Sequence, residues 1–118
     1  MCLFGCGGDR DKTKRPEMAQ AAANLADRLV ITSDNPRTED PEAIIADIRA
    51  GLSPADLART LVITDRREAI RTALLTAPEG ATILLAGKGH ENYQVIGHEK
   101  RPFDEKELVN ETFKMMLV

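Results

Sequence analysis

Short apolar segments alternate along this chain with longer segments that have helical spacing. The apolar segments are Cys2–Phe4, Leu29–Ile31, Thr60–Thr64 and Thr82–Ala86, and each has the length of a strand. Strands that are separated by helices are typical of a parallel sheet with crossover connections. The pattern therefore predicts a three-layer α/β domain, in which helices cover both faces of a sheet of about six mainly parallel strands.

Capping residues mark the starts of three predicted helices. Asp40 stands directly before a proline, and Asp65 and Asp104 are each followed three residues later by a glutamate. An aspartate in such a position accepts hydrogen bonds from the free N–H groups of the first helical turn. These signals predict helices that begin just after residues 40, 65 and 104.

Two other segments are assigned by spacing alone. In Arg15–Ala26, helical periodicity favours burial of one face made of Met18, Ala22, Leu25 and Ala26. Near the end of the chain, Tyr93–Ile96 and His98–Arg101 flank Gly97, which predicts a hairpin.

Length and composition describe one ordinary globular domain. The 118 residues are 42% hydrophobic and 30% charged, with a net charge of −3. This balance does not favour a nucleic-acid partner, and no apolar run approaches the roughly 20 residues of a membrane span. Cys2 and Cys6 are too few for a disulfide framework, and His90 and His98 lie too far away for zinc-site spacing. We therefore expect free thiols, no metal and a cytoplasmic location.

Three loops follow predicted strands and carry polar or charged side chains. In parallel sheets ligands bind beyond the carboxyl ends of the strands, so these loops are candidates for a binding site. The first loop contains Gly5, Gly7 and Gly8, whose backbone N–H groups are able to approach an anion closely. Its spacing matches neither the phosphate loop nor the dinucleotide fingerprint. A solvated tight turn and an anion site are equally consistent with it.

The second loop holds an asparagine and an arginine on a stiff segment. Pro36 fixes its own φ angle and favours an extended conformation at Asn35. Arg37 offers a planar fork that matches a carboxylate, whereas Asn35 is able either to donate to a carboxylate or to accept from an ammonium. The simpler alternative is a turn with a surface arginine.

The third loop combines accessible backbone with a negative charge. Gly87 and Gly89 expose the backbone, and Glu91 supplies a carboxylate. Together with an arginine, these groups suit a zwitterion such as an amino acid. For His90 a structural hydrogen bond is favoured over catalysis, and Lys88 fits either a contact with phosphate or a solvated position.

The loops and their neighbours resemble the Mur ligases. The matching motifs are Phe4-Gly-Cys-Gly-Gly-Asp-Arg-Asp11 with Lys14-Arg15-Pro16, Asp34-Asn35-Pro36-Arg37, Gly87-Lys88-Gly89-His90-Glu91 and Pro102-Phe103-Asp104. They stand in order and at compatible spacing over nearly the whole chain. The resemblance is to the C-terminal, Rossmann-like domain of the members that add meso-diaminopimelate to UDP-N-acetylmuramoyl-L-alanyl-D-glutamate in peptidoglycan precursor synthesis.

The resemblance implies a set of site residues. Those implied to bind meso-diaminopimelate are Arg10, Asp34, Asn35, Pro36, Arg37, Gly87 and Glu91. Arg37 is implied to separate these members from lysine-adding relatives, which lack an arginine there. Asp9 and Lys12 are implied to approach ATP when the domains close, and no catalytic residue is implied in this domain.

The resemblance also implies what the rest of the enzyme supplies. Mur ligases hold the UDP-sugar in an N-terminal domain and ATP in a central domain with a phosphate loop and Mg²⁺ ligands, whereas residues 1–118 match only the last domain. The start of the chain, almost directly in a strand, fits a domain cut from a larger protein. We expect no cofactor in this domain, ATP and Mg²⁺ in the full-length ligase, and no activity from the domain alone. The expected partners are meso-diaminopimelate directly, and the UDP-linked dipeptide and ATP through the other domains.

Two alternatives to a ligase domain stay open from the residues themselves. The first is a free-standing, non-catalytic α/β module that binds an amino acid, and an upstream reading frame with a phosphate loop would argue against it. The second is a structural or interaction domain whose loops are only turns. Titration with meso-diaminopimelate and with lysine separates the second from both others.

Overall fold

The computed structural model describes residues 1–88 and 91–116, so the predictions made for Gly89 and His90 lie outside the described residues. Its strands are β1 (Cys2–Phe4), β2 (Leu29–Ile31), β3 (Thr60–Val62), β4 (Leu84–Leu85), β5 (Tyr93–Ile96) and β6 (Glu99–Pro102). Its helices are α1 (Lys14–Leu25), α2 (Pro41–Arg49), α3 (Pro54–Leu57), α4 (Arg66–Thr76) and α5 (Glu105–Met116). The predicted order of strands and helices is confirmed.

Four parallel strands form the central sheet, in the spatial order β3-β2-β1-β4. Leu3 of β1 pairs with Val30 of β2 on one side and with Leu85 of β4 on the other. The α/β class and the parallel pairing are confirmed, but the prediction of about six strands in this sheet was wrong. The two remaining strands, β5 and β6, pair antiparallel as a separate hairpin, because the tight turn at Gly97, with φ of +62°, joins them directly.

Helices cover both faces of the sheet, as predicted. On one face, α1 and α2 pack against a cluster that includes Phe4, Leu29 and Ile31. On the other face, α4 and α5 pack against Leu3 and Val30. Successive strand residues point to opposite faces, so these short strands are buried on both sides and read as continuous apolar runs.

The buried face of α1 differs from the predicted one. Met18 and Leu25 are 45% and 90% exposed, while Ala19 and Ala23 are buried instead. The helix lies close against the segment after α2, where a Cβ added at Gly51 would lie only 2.2 Å from the Pro16 carbonyl oxygen. Such close packing selects small side chains over large ones, so hydrophobic periodicity pointed to the wrong face.

The cap predictions hold in detail. Asp40 accepts a hydrogen bond from the Glu42 N–H at 3.0 Å, Asp65 from Arg67 at 3.1 Å and Asp104 from Glu107 at 3.2 Å. Because the starts of these helices are fixed, the loops before them are held as well. Within residues 1–88 and 91–116, every helix is too short or too polar to span a membrane.

Parallel pairing places the carboxyl ends of β1, β2 and β4 along one edge of the sheet. The first loop follows Phe4, the second follows Ile31 and the third follows Leu85. The prediction that these loops share one edge is therefore confirmed for their described residues, and the candidate site lies at this edge.

Candidate functional site

The first and second loops are joined through their backbones. The Gly8 N–H donates to the carbonyl oxygen of Asn35 at 2.8 Å, and Nη1 of Arg37 donates to the carbonyl oxygen of Gly8 at 3.0 Å. A Cβ added at Gly8 would lie 1.8 Å from the carbonyl oxygen of Pro36. Only glycine therefore permits this contact, and the glycines of the first loop serve loop-to-loop packing.

Arg37 is held in an uncommon backbone conformation. Its φ is +53°, a left-handed value that costs free energy in residues other than glycine. The hairpin maintains it, because the Arg37 N–H donates to the Val95 carbonyl at 3.1 Å and the Gly97 N–H donates to the Arg37 carbonyl at 2.7 Å. The β5–β6 hairpin, which lies outside the main sheet, thus fixes the arginine that the sequence singled out.

Asn35 is buried and links the second loop to the third. Its side-chain oxygen Oδ1 accepts from Nζ of Lys88 at 2.6 Å and from the backbone N–H of Val95 at 2.9 Å. The carbonyl of the preceding residue, Asp34, accepts from Nε2 of Gln94 at 2.7 Å. Three elements far apart in the sequence therefore meet at Asn35.

Lys88 lies at the centre of a charged cluster. Only 2% of the residue is exposed, and its Nζ lies 3.1 Å from Oδ1 of Asp34 and 3.7 Å from Oε1 of Glu91. The contact between Lys88 and Asp34 is an ion pair at hydrogen-bonding distance, but its angles are not those of a hydrogen bond. Two carboxylates thus share one buried ammonium, so these three side chains together carry a formal charge of −1.

A pocket of about 350 Å³ opens at this edge and brings three predicted site residues together. Its lining consists of Gly5, Cys6, Gly7, Arg10, Asp11, Lys14, Arg15, Met18, Asp34 and Gly87. A Cβ added at Gly7 would lie 2.8 Å from Nη1 of Arg37 and 3.5 Å from Cγ of Arg10, so both arginines flank Gly7. Glu91 and Asn35 adjoin the pocket through Lys88 rather than lining it.

A larger groove, of about 620 Å³, lies elsewhere, beside Met1, Leu25 and Leu84. Its lining is mainly alanine and leucine, with Asp27 as its one charged side chain. Binding sites for polar metabolites combine a concave surface with converging polar groups. The smaller pocket meets that description, so we take it as the candidate site.

Asp9 and Lys12 lie beside the pocket rather than in its lining. Asp9 has a φ of +57°, and its carboxylate accepts from the Thr38 hydroxyl at 2.7 Å while its backbone N–H donates to Glu39 at 2.8 Å. Asp9 therefore helps to fix the loop, and Lys12 is exposed. Their contact with ATP stays a prediction.

Arg15 is a site residue that the sequence reasoning missed. It belongs to the Lys14-Arg15-Pro16 motif, but no role was inferred for it from the sequence, and only 1% of the residue is exposed. Its guanidinium donates to the Gly7 carbonyl at 3.0 Å and forms ion pairs with Glu39 at 3.0 Å and Asp47 at 2.9 Å. The hydrogen bond from Arg15, together with the one from the Asp9 backbone, holds the pKa of Glu39 below its ordinary value.

Arg66 is a second buried arginine that no sequence signal indicated. It donates to the Ser33 carbonyl at 2.9 Å and to the Ala86 carbonyl at 3.0 Å, and it pairs with Glu105 at 3.1 Å. It therefore ties the ends of β2 and β4, just before the second and third loops, to the start of α5. In the sequence, Ser33, Ala86 and Glu105 are 33, 20 and 39 residues away from Arg66, so no local pattern reveals these contacts.

Within residues 1–88 and 91–116, no group of three or more His, Cys, Asp or Glu side chains is placed to hold a metal ion. Both cysteines are free thiols, and burial raises the pKa of Cys6. The pocket lining offers arginine, lysine, carboxylate and thiol groups, and Asn35 supplies an amide beside it.

Comparison with known proteins identifies relatives of this chain. A family model described as "Mur ligase, glutamate ligase domain" matches residues 1–89. The chain is 60% identical over 107 residues to a UDP-N-acetylmuramoyl-L-alanyl-D-glutamate--2,6-diaminopimelate ligase from Trichormus variabilis, covering 91% of this chain and 21% of that protein. The corresponding ligase from Bacteroides thetaiotaomicron is 58% identical over 94% of this chain and 23% of its own length.

A solved structure of a ligase with the same name superposes on the chain with a TM-score of 0.94 at 46% identity. The match covers 99% of this chain and 24% of that one. The chain thus spans about a fifth to a quarter of the length of these relatives, and its fold is that of one part of them.

Proposed function

Since this chain belongs to the Mur ligase family, as its glutamate ligase domain, we propose that it binds the incoming amino acid in an ATP-dependent ligase. That ligase would add meso-diaminopimelate to UDP-N-acetylmuramoyl-L-alanyl-D-glutamate during peptidoglycan precursor synthesis. The curated relatives carry this activity in their names. We further propose that the enzyme works in the cytoplasm, where ATP is available.

One observation carries the proposal: cationic and anionic side chains converge from three loops on one small pocket. Arg10 and Arg37 flank Gly7, and Asp34 lines the same pocket. Glu91 adjoins it through the buried Lys88. A ligand with carboxylates at separate positions and an ammonium between charged loops complements such an arrangement.

Diaminopimelate has this chemistry, because each of its two ends carries a carboxylate and an amino group. We propose that the arginines at 10 and 37 each bind one carboxylate. The unbalanced negative charge shared by Asp34 and Glu91 holds the ammonium at the end that does not react. The other amine is the nucleophile, and it must lose a proton before it attacks the acyl group.

The proposed role of the domain is to orient that amine. In this reaction the glutamate side-chain carboxylate is activated as an acyl phosphate, the amine attacks it and phosphate leaves. ATP supplies the phosphoryl group, and it is held with Mg²⁺ by other parts of the ligase. The side chains described above bind and aim the nucleophile, which is a proximity effect.

Selectivity between diaminopimelate and lysine has a physical basis in this site. Lysine ends in an ammonium alone, so it leaves Arg37 without an anionic partner. A half-buried charge without a partner is costly, and the site therefore disfavours lysine. Pro36, which is buried, stiffens the segment that presents the arginine.

The test is the amino-acid specificity of the full-length ligase that contains this domain. We expect kcat/KM for meso-diaminopimelate to exceed that for L-lysine by at least about two decades, because breaking a buried charge pair costs about 3–5 kcal/mol. Equal values, or a preference for lysine, would overturn the assignment of substrate.

A further inference from the structure

Lys88 is a buried cation that joins two loops without itself lining the pocket. Its Nζ contacts Asn35, Asp34 and Glu91 at 2.6, 3.1 and 3.7 Å. All three partners belong to the proposed ligand-binding set. A lysine is rarely this buried unless its ammonium is paired, so the position is built around these contacts.

The contacts with Lys88 and with the Val95 N–H together determine which way the Asn35 amide faces. An ammonium and a backbone N–H are donors only. The side-chain atom of Asn35 that accepts hydrogen bonds from both Lys88 Nζ and the Val95 N–H must therefore be the amide oxygen. An amide oxygen has two lone pairs, and these two donors use both. The NH₂ group of Asn35 is consequently turned to the opposite side, where it is able only to donate.

This orientation resolves a question that the sequence left open, namely whether Asn35 donates to a carboxylate or accepts from an ammonium. With Oδ1 fully used, Asn35 has no acceptor left for a ligand ammonium. Its Nδ2 makes no hydrogen bond to a side chain or backbone group within residues 1–88 and 91–116.

From this geometry we propose that Lys88 is a positioning residue for amino-acid selectivity, which fixes the Asn35 amide so that its NH₂ donates to the ligand carboxylate bound by Arg37. This inference rests on the proposed function. Lys88 also balances one of the two nearby carboxylates, so that Asp34 and Glu91 together attract one ligand cation and not two. Loss of Lys88 should therefore weaken the binding of a ligand with a distal carboxylate more than the binding of a ligand without one.

The first experiment replaces Lys88 with methionine in the full-length ligase, which removes the donor and keeps an unbranched side chain. We expect KM for meso-diaminopimelate to rise about 10- to 100-fold, the range of a lost charged hydrogen bond, with KM for ATP unchanged and KM for L-lysine changed much less. An equal rise for both amino acids would make Lys88 merely structural and overturn the proposal.

Arg59→Met is the matched control. Arg59 is a cation that donates to the backbone carbonyls of Ala23 and Asp27, near the start of β2 and away from the loops. Its loss should lower Tm and leave the ratio of the two amino-acid KM values unchanged. If Arg59→Met changes that ratio as Lys88→Met does, loss of stability alone explains the effect and the proposal fails.

A second variant keeps the proposal testable if Lys88→Met does not fold. Asn35→Asp retains an oxygen for both Lys88 and the Val95 N–H but replaces the NH₂ donor with a second oxygen. The preference of this variant for meso-diaminopimelate over L-lysine should fall by a factor similar to that expected for Lys88→Met, with Tm unchanged. Retention of the preference would show that Asn35 does not donate to the ligand.

A double-variant cycle then tests whether Lys88 acts through Asn35. If it does, Lys88→Met combined with Asn35→Ala should weaken diaminopimelate binding by clearly less than the product of the single effects. Independent, multiplying effects would contradict the proposal. Arg37→Ala separates a failure of this proposal from a failure of the proposed function. If Arg37→Ala selectively weakens binding of diaminopimelate while Lys88→Met and Asn35→Asp leave the amino-acid selectivity unchanged, only the role of Lys88 is overturned.

Discussion

Arg37 and Gly8 are joined by a hydrogen bond from Nη1 to the Gly8 carbonyl oxygen, 3.0 Å long. The bond connects the second loop to the first and orients the guanidinium through one of its nitrogens. The Arg37 side chain makes its other hydrogen bond within the described ranges through the same atom, to the Asn35 carbonyl at 3.4 Å. The Nε and Nη2 edge of the fork is the part that faces away from these carbonyls.

Replacing Gly8 with alanine should separate the two loops. The added Cβ would lie 1.8 Å from the Pro36 carbonyl oxygen, so the backbone has to move. We expect about 1–3 kcal/mol of destabilisation, together with a higher KM for diaminopimelate in the full-length enzyme. The measurements are urea unfolding and steady-state kinetics. Gly80→Asn is the control: it has φ of +80° and no atom within 4 Å of the added Cβ, so it should cost about 1 kcal/mol at most and leave KM unchanged.

Stability at acid pH should depend on Glu39. The hydrogen bond from Arg15 lowers the Glu39 pKa in the folded chain, so the contribution of the pair is present at neutral pH. This stabilising contribution is lost as the pH falls from about 4.3, the pKa of a glutamate in unfolded chains, through the lower pKa of Glu39 in the folded chain. The Tm difference between wild type and Glu39→Gln should therefore shrink between pH 7 and pH 3. Glu79→Gln, in an exposed turn, serves as the control and should show no comparable trend; a constant difference for Glu39→Gln would contradict the assignment.

The 118-residue chain alone should neither hydrolyse ATP nor form an amide bond. It contains no phosphate-loop sequence, and it corresponds to 21% of a relative with ligase activity in its name. The measurement is phosphate release with ATP, Mg²⁺ and both substrates, and the full-length enzyme is the positive control. Turnover above the protein-free blank would mean that a nucleotide site exists within these residues.

Sequence reasoning succeeded where the determining interactions are local. The strands Cys2–Phe4 and Leu29–Ile31 and the cap at Asp40 depend on neighbours within a few residues, and each was located correctly. The α/β class follows from the same local alternation.

Sequence reasoning failed where the interacting residues are far apart in the sequence. Lys88 and Asn35 are 53 residues apart, and Arg15 finds its carboxylate partners Glu39 and Asp47 only after α1 and α2 pack together. A buried, paired arginine and a solvated one are indistinguishable in sequence, because burial depends on which elements meet. The loop motifs pointed to the sheet edge where the pocket lies, but the residues that hold the loops in place became visible only in three dimensions.

Glu91→Gln should weaken binding of diaminopimelate specifically. The change keeps the shape of the side chain and removes the negative charge that we assign to the ligand ammonium. In the full-length enzyme KM for diaminopimelate should rise about tenfold or more, with KM for ATP nearly unchanged. Glu111→Gln, exposed on α5, is the matched control and should alter neither. Equal effects of Glu91→Gln on both substrates would indicate a role in domain closure instead.

The strongest prediction concerns Arg37. Truncation to alanine should leave the distal carboxylate of diaminopimelate without the partner that we propose for it, at a cost of about 3–5 kcal/mol, or roughly two to four decades in kcat/KM. Arg37→Lys should restore little, because one ammonium does not reproduce a planar fork whose direction is set by the bond to Gly8. L-Lysine has no distal carboxylate and should lose little from either change. The measurement is kcat/KM for both amino acids in wild-type and variant full-length enzyme. If Arg37→Ala weakens lysine and diaminopimelate alike, Arg37 only supports the loops, and the selectivity of the site must come from other residues.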